Sequence, residues 1–87
     1  MSYSIQYRPG VPRDMAGLPA PVLLRVDKAI LSLGENPRPP GCRKLVGAAS
    51  LWRLRVGDWR IVYEIDDVRC IIEIRIVAHR REVYRGL

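Results

Sequence analysis

Only two residues, Gly57 and Asp58, separate the alternating stretches Leu51–Val56 and Trp59–Ile65. That spacing predicts a two-residue β-hairpin, with Gly57 supplying the positive φ such turns need. A turn this short fixes the register. Val56 falls opposite Trp59, Arg55 opposite Arg60, Leu54 opposite Ile61, Arg53 opposite Val62 and Trp52 opposite Tyr63. Because side chains alternate along a strand, Trp52, Leu54, Trp59, Ile61 and Tyr63 share one face and form a core surface. Arg53, Arg55 and Arg60 share the other. Like charges directly opposite each other cost roughly 0.2–1 kcal/mol relative to neutral pairs. A chain that tolerates this is a candidate to hold an anion there.

The remaining elements follow from periodicity and breakers. Tyr3–Arg8 alternates and reads as a first strand stopped by Pro9-Gly10. Val11–Leu18 reads as a short helix with Pro12 in its first turn, where a missing N–H does no harm. Pro19-Ala20-Pro21 opens a longer helix whose apolar stripe is Val22, Val26, Ala29, Ile30 and Leu33. Gly34 is placed to end that helix, and Asn36–Gly41 cannot continue it. A third strand of the sheet's second half spans Cys70–His79, with Ile72, Ile74 and Ile76 alternating with Glu73, Arg75 and Val77. The turn Asp66–Arg69 makes these strands an antiparallel meander, and a polar tail, Arg80–Leu87, ends the chain. The expected fold is α+β: two N-terminal helices packed on one face of an antiparallel sheet, in the order β-α-α-β-β-β. Residues 1–87 are expected to form a single domain, because a chain of 87 residues has room for one modest core. The face away from the helices is expected to carry Arg53, Arg55, Arg60, Glu64, Glu73, Arg75 and His79.

Charge narrows the function. The net charge is +6, and residues 38–60 set Arg38, Arg43, Lys44, Arg53, Arg55 and Arg60 against the single acid Asp58. Arg75, Arg80, Arg81 and Arg85 add a second basic group around Glu82. This suits a polyanion, either nucleic acid or an acidic protein, with a membrane surface ranking third. A solvated basic face is the bland alternative. Cys42 and Cys70 are too few for a disulfide framework, and the one histidine, His79, leaves a zinc site short of ligands. The apolar run Cys70–Ala78 is short and broken by Glu73 and Arg75, so no membrane span is expected. A reducing cytoplasm is the expected location.

Among residues that could carry chemistry, the cluster Arg53, Arg55 and Arg60 stands first. Guanidinium groups fork onto phosphate oxygens and stay charged at any relevant pH. Several aimed at one phosphate stabilise the added negative charge of a phosphoryl-transfer transition state. Alternatively the arginines pair with Glu64 and Glu73. His79 is either a proton shuttle or a surface hydrogen-bonding residue. Tyr84 can stack on a base, exchange a proton, or anchor the tail. Arg43-Lys44 is either a basic lip beside the cluster or part of a rigid connector.

Taken in order, several pieces resemble the RelE/ParE superfamily of bacterial toxin–antitoxin toxins, on its RelE side. They are Tyr3-Ser4-Ile5, Leu33–Pro39, Lys44–Gly47, Trp52–Tyr63 and His79–Tyr84. The resemblance implies a toxin of a type II system that is a ribosome-dependent mRNA endoribonuclease, an interferase that inhibits translation. It implies cleavage without metal or other cofactor, the RNA 2′-hydroxyl attacking the adjacent phosphate to leave a 2′,3′-cyclic phosphate. By motif position Arg53, Arg55, Arg60, Arg80 and Tyr84 stand where the family keeps catalytic groups. Arg60 would hold the scissile phosphate, Arg80 assist the leaving 5′-oxygen, and Tyr84 stack on or deprotonate the nucleotide. Arg43, Lys44, Arg75, His79 and Arg81 would bind RNA around them. The best-studied members have lysines where this chain has Arg53 and Arg55, so general-base duty passes to Tyr84 or His79. The implied partners are an acidic antitoxin that wraps the toxin, the ribosome and its mRNA, and operator DNA through the antitoxin alone. The ParE side of the superfamily implies a different function, inhibition of DNA gyrase without nuclease activity. A folded but inactive relative is a third possibility.

Overall fold

The computed structural model describes residues 2–47 and 50–83. Its elements are β1 (Ser4–Tyr7), α1 (Val11–Ala16), α2 (Ala20–Leu33), β2 (Arg43–Lys44), β3 (Leu51–Val56), β4 (Trp59–Asp66) and β5 (Ile71–His79). The five strands form one sheet in the order β1-β5-β4-β3-β2. β2 through β5 are antiparallel to their neighbours, as the meander requires, while β1 joins the edge parallel to β5. Both helices lie on one face, as expected. The two-residue β2 is additional, being too short to show any periodicity.

The core lies between the helices and the sheet. Val26, Ile30 and Leu33 of α2 recur at one-turn spacing and are fully buried, with Val11 and Met15 contributed by α1. They meet Leu54, Ile61, Tyr63, Ile65, Ile72, Ile74 and Val77 of the sheet. Each such aliphatic side chain contributes roughly 1.5–3 kcal/mol when removed from water. Gly34 ends α2 for a reason other than left-handed geometry. Its φ is −61°, but a Cβ there would lie 3.2 Å from the carbonyl oxygen of Tyr3. The Tyr3 N–H donates to the Gly34 carbonyl at 2.7 Å, so β1 passes hard against the helix end.

Two polar anchors hold the proline-rich connector after α2. The Tyr63 hydroxyl donates to the Pro37 carbonyl at 2.7 Å, and burial raises that phenol well above its ordinary range. Arg38 forks onto Asp67 at 2.9 and 3.3 Å, Tyr3 donates to the same carboxylate at 2.7 Å, and the Arg38 guanidinium sits 4.9 Å over the Trp52 ring. The β4–β5 turn thereby grips the connector, which leads directly into β2.

The expected face of the last strand needs correction. Asp66–Ile71 through Tyr63–Ile74 pair in simple register, but Val62 pairs with Ile76, so Arg75 is an extra residue in β5. Such a bulge reverses the facing of everything beyond it. Ile72 and Ile74 point to the helices as expected. Past the bulge it is Val77 that is buried, at 4% exposure, and Ile76 that turns away. His79 therefore lies on the helix side, beside Trp59, rather than among the arginines.

Candidate functional site

Two rows of side chains cross the face away from the helices near the β3–β4 turn. The first runs Arg43, Arg53, Val62 and Ile76 from β2 to β5. The second runs Arg55, Arg60 and Ala78. The two-residue turn produces the register read from the sequence, with Gly57 at φ 61°. β2 then sets Arg43 directly opposite Arg53, a second like-charge pair that the hairpin alone could not reveal. Arg43 and Arg55 are exposed, Arg53 and Arg60 half-buried, and Val62 fully buried between them. An apolar centre flanked by guanidinium groups lowers the local dielectric and strengthens electrostatic interactions there.

The turn itself gathers two more cationic contacts. Arg60 Nη1 donates to the carbonyls of Gly57 at 2.9 Å and Trp59 at 3.0 Å. Arg80, just past β5, comes back to the same place: its N–H donates to the Asp58 carbonyl at 2.8 Å, and its guanidinium lies 3.8 Å from the Asp58 carboxylate. That ion pair is exposed, and such pairs contribute about 0–1 kcal/mol. An incoming phosphate could displace Asp58 at little cost. The structure thus brings together Arg43, Arg53, Arg55, Arg60 and Arg80.

It does not bring together all the residues expected from sequence. Arg75 is committed to the sheet's own acids, pairing with Glu64 at 3.3 Å and with Glu73 at 2.5 Å, so the self-pairing alternative describes this arginine. Glu64 and Glu73 are themselves register partners, and the bulge delivers Arg75 between them. Lys44 is exposed opposite Trp52, on the helix side of the sheet edge. His79 meets the Trp59 ring edge-on at 5.4 Å and accepts the Arg81 N–H on Nδ1 at 3.3 Å. Its acceptor nitrogen is turned to the backbone and its ring to the indole, away from the arginine rows. Arg81 is exposed beside it. Tyr84 lies outside the described residues. Among those described, no group of three His, Cys, Asp or Glu side chains could hold a metal ion, and no helix is long and apolar enough to cross a membrane.

Asp58 and Arg25 join the site without a sequence signal that places them there. In the sequence Asp58 reads only as a turn residue. Arg25, from α2, lies against Gly57; nothing in the helical pattern indicates which strand end it reaches.

Residues 5–84 match the family model described as the ParE toxin of the type II toxin–antitoxin system parDE. The chain belongs to the RelE/ParE superfamily of type II toxins. Toxin RelG of Mycobacterium tuberculosis is 30% identical over 86 residues, spanning 98% of this chain and 99% of that toxin. Among solved structures, a chain of the RelBE2 toxin–antitoxin complex of M. tuberculosis superposes with a TM-score of 0.80 at 27% identity, covering 92% of this chain and all of that one, 100%. A chain of the archaeal RelE–RelB complex from Pyrococcus horikoshii gives 0.81 at 26% identity, covering 92% and 97%. The expected family and the two-helix, single-sheet fold are both borne out.

Proposed function

We propose that this toxin is a ribosome-dependent mRNA endoribonuclease acting in the cytoplasm, and that the arginine rows beside the β3–β4 turn are its cleavage site. One observation carries the reading: Arg55 and Arg60 are held opposite each other on the sheet face away from the helices, with Arg80 drawn to the same turn. Opposed cations cost folding energy, and an anionic ligand relieves that cost.

In the proposed reaction the RNA 2′-oxygen attacks the neighbouring phosphorus and the bond to the 5′-oxygen breaks, leaving a 2′,3′-cyclic phosphate and a new 5′-hydroxyl. Arg60 binds the non-bridging oxygens and, with Arg55 and Arg53, stabilises the extra charge of the transition state. Arg80 hydrogen-bonds the departing 5′-oxygen, which takes its proton from water. None of these guanidinium groups can take the 2′-hydroxyl proton, since arginine stays protonated throughout. With His79 turned to the helix side, that duty falls to Tyr84. Arg43 extends the binding row at the sheet edge.

The partners follow from charge. The relatives solved as RelB–RelE complexes support a cognate antitoxin here, and an acidic one would meet a +6 toxin rapidly by electrostatic steering. Operator DNA would be bound through the antitoxin. The match to a ParE-described family model favours gyrase inhibition as a second reading. Inducing the chain without antitoxin and mapping new RNA 5′ ends separates the two. New ends within translated messages support the nuclease; a DNA-damage response with intact messages supports the gyrase inhibitor.

A further inference from the structure

The arginine rows do not stop at the sheet. An open groove of about 440 Å³ lies between α2 and β3, lined by Arg25, Lys28 and Ser32 on the helix and by Arg55 and Gly57 on the hairpin. Positions 25, 28 and 32 stack on one side of a helix, so α2 presents two cations along the groove. No carboxylate lines it among the described residues. Asp27, the acid between them in sequence, lies round the helix towards Tyr7, whose phenol is raised by burial and then by that carboxylate.

The groove lies on the helix side of the sheet, and two hairpin residues link it to the candidate cleavage site on the other face. Arg55 lines the groove and is the register partner of Arg60. At the turn, a Cβ on Gly57 would lie 3.2, 3.3 and 3.6 Å from Nη2, Nη1 and Cζ of Arg25. Both Nη atoms are nearer than Cζ, so the guanidinium turns its amino edge toward the glycine. The same residue's carbonyl accepts from Arg60. One peptide turn therefore carries a cation on either side.

We propose that this groove binds the phosphodiester backbone of the substrate RNA where the strand leaves the cleavage site. The proposal rests on the nuclease reading for its substrate. No aromatic ring lines the groove, so it would hold the backbone without reading bases. Arg25 and Lys28 would add affinity and strand-length dependence, not sequence preference.

The test uses the full chain and a fluorescein-labelled 2′-O-methyl oligonucleotide of about 20 residues, which cannot be cleaved because the attacking hydroxyl is blocked. For every phosphate that a variant no longer neutralises, the slope of log K against log salt should shrink in magnitude by about 0.7. Arg25→Gln/Lys28→Gln should therefore flatten it by about 1.4. Arg69→Gln, on the remote β4–β5 turn, should leave it unchanged, and circular dichroism melting checks that each variant folds. An unaltered slope in the double variant overturns the groove assignment, as does wild-type protein that fails to bind the oligonucleotide. An unaltered slope joined to abolished binding of an acidic antitoxin peptide also overturns it, and assigns the groove to the protein partner. A wild-type chain that binds RNA through Arg25 and Lys28 yet cuts no ribosome-bound message sinks the nuclease reading while leaving the groove in place.

Discussion

Arg55 and Arg60 stand as direct register partners on β3 and β4, the pair nearest but one to the hairpin turn. At the other end of that face the like-charge pair Glu64 and Glu73 is bridged by Arg75. The contrast separates the two ends of the sheet: one neutralises its own charge, and the other keeps positive charge gathered at a turn.

This pairing predicts a conflict between stability and activity. Arg55→Gln removes a directly opposed like charge and should stabilise the free toxin by roughly 0.2–1 kcal/mol. It should at the same time slow mRNA cleavage. Thermal melting and a cleavage assay on the same protein check both directions. A variant that is less stable than wild type would contradict the assigned repulsion.

The hairpin was legible because a two-residue turn leaves its register no freedom, and the helices because their apolar stripes are regular. The last strand was legible only as far as its bulge. Nothing in the alternation from Ile72 to Val77 reveals that Arg75 is skipped, since the bulge is set by pairing with β4 and by the acids that Arg75 bridges. The misplacement of His79 follows from that one residue. β2 was invisible for a different reason: two residues carry no period, and Arg43 finds its place only because Arg38, Tyr63 and Asp67 hold the connector in front of it. Arg53, Arg55 and Arg60 could be grouped by parity, whereas Arg80 and Arg25 reach the turn from other elements by tertiary packing.

Tyr63 anchors the connector from inside the core. Tyr63→Phe keeps the ring but leaves the Pro37 carbonyl without its buried donor, and should cost about 1–3 kcal/mol. The urea midpoint should fall accordingly. A change near zero would show that the Pro37 carbonyl finds another donor once the hydroxyl is removed.

The Arg38–Asp67–Tyr3 anchor predicts a pH dependence. Hydrogen bonds from Arg38 and then Tyr3 hold the Asp67 carboxyl below its ordinary value of 3.8. A folded-state pKa lowered in this way contributes stability above the unfolded value, and loses it as pH falls through the folded one. Asp67→Asn should therefore be less stable than wild type near neutral pH, and the gap should close as pH drops below 3.8. Urea midpoints across that range check the sign. A gap that stays constant with pH would assign the effect to something other than ionisation.

The most direct measurement concerns Arg60. Purified wild-type and Arg60→Ala toxins are given ribosomes stalled on a defined message, and the single-turnover cleavage rate is read with melting curves as a folding control. Removing one transition-state donor of this kind costs about 100- to 1,000-fold in rate. Arg60→Ala should show a loss of that size while still melting cooperatively. Cleavage at the wild-type rate by folded Arg60→Ala would contradict the role assigned to Arg60.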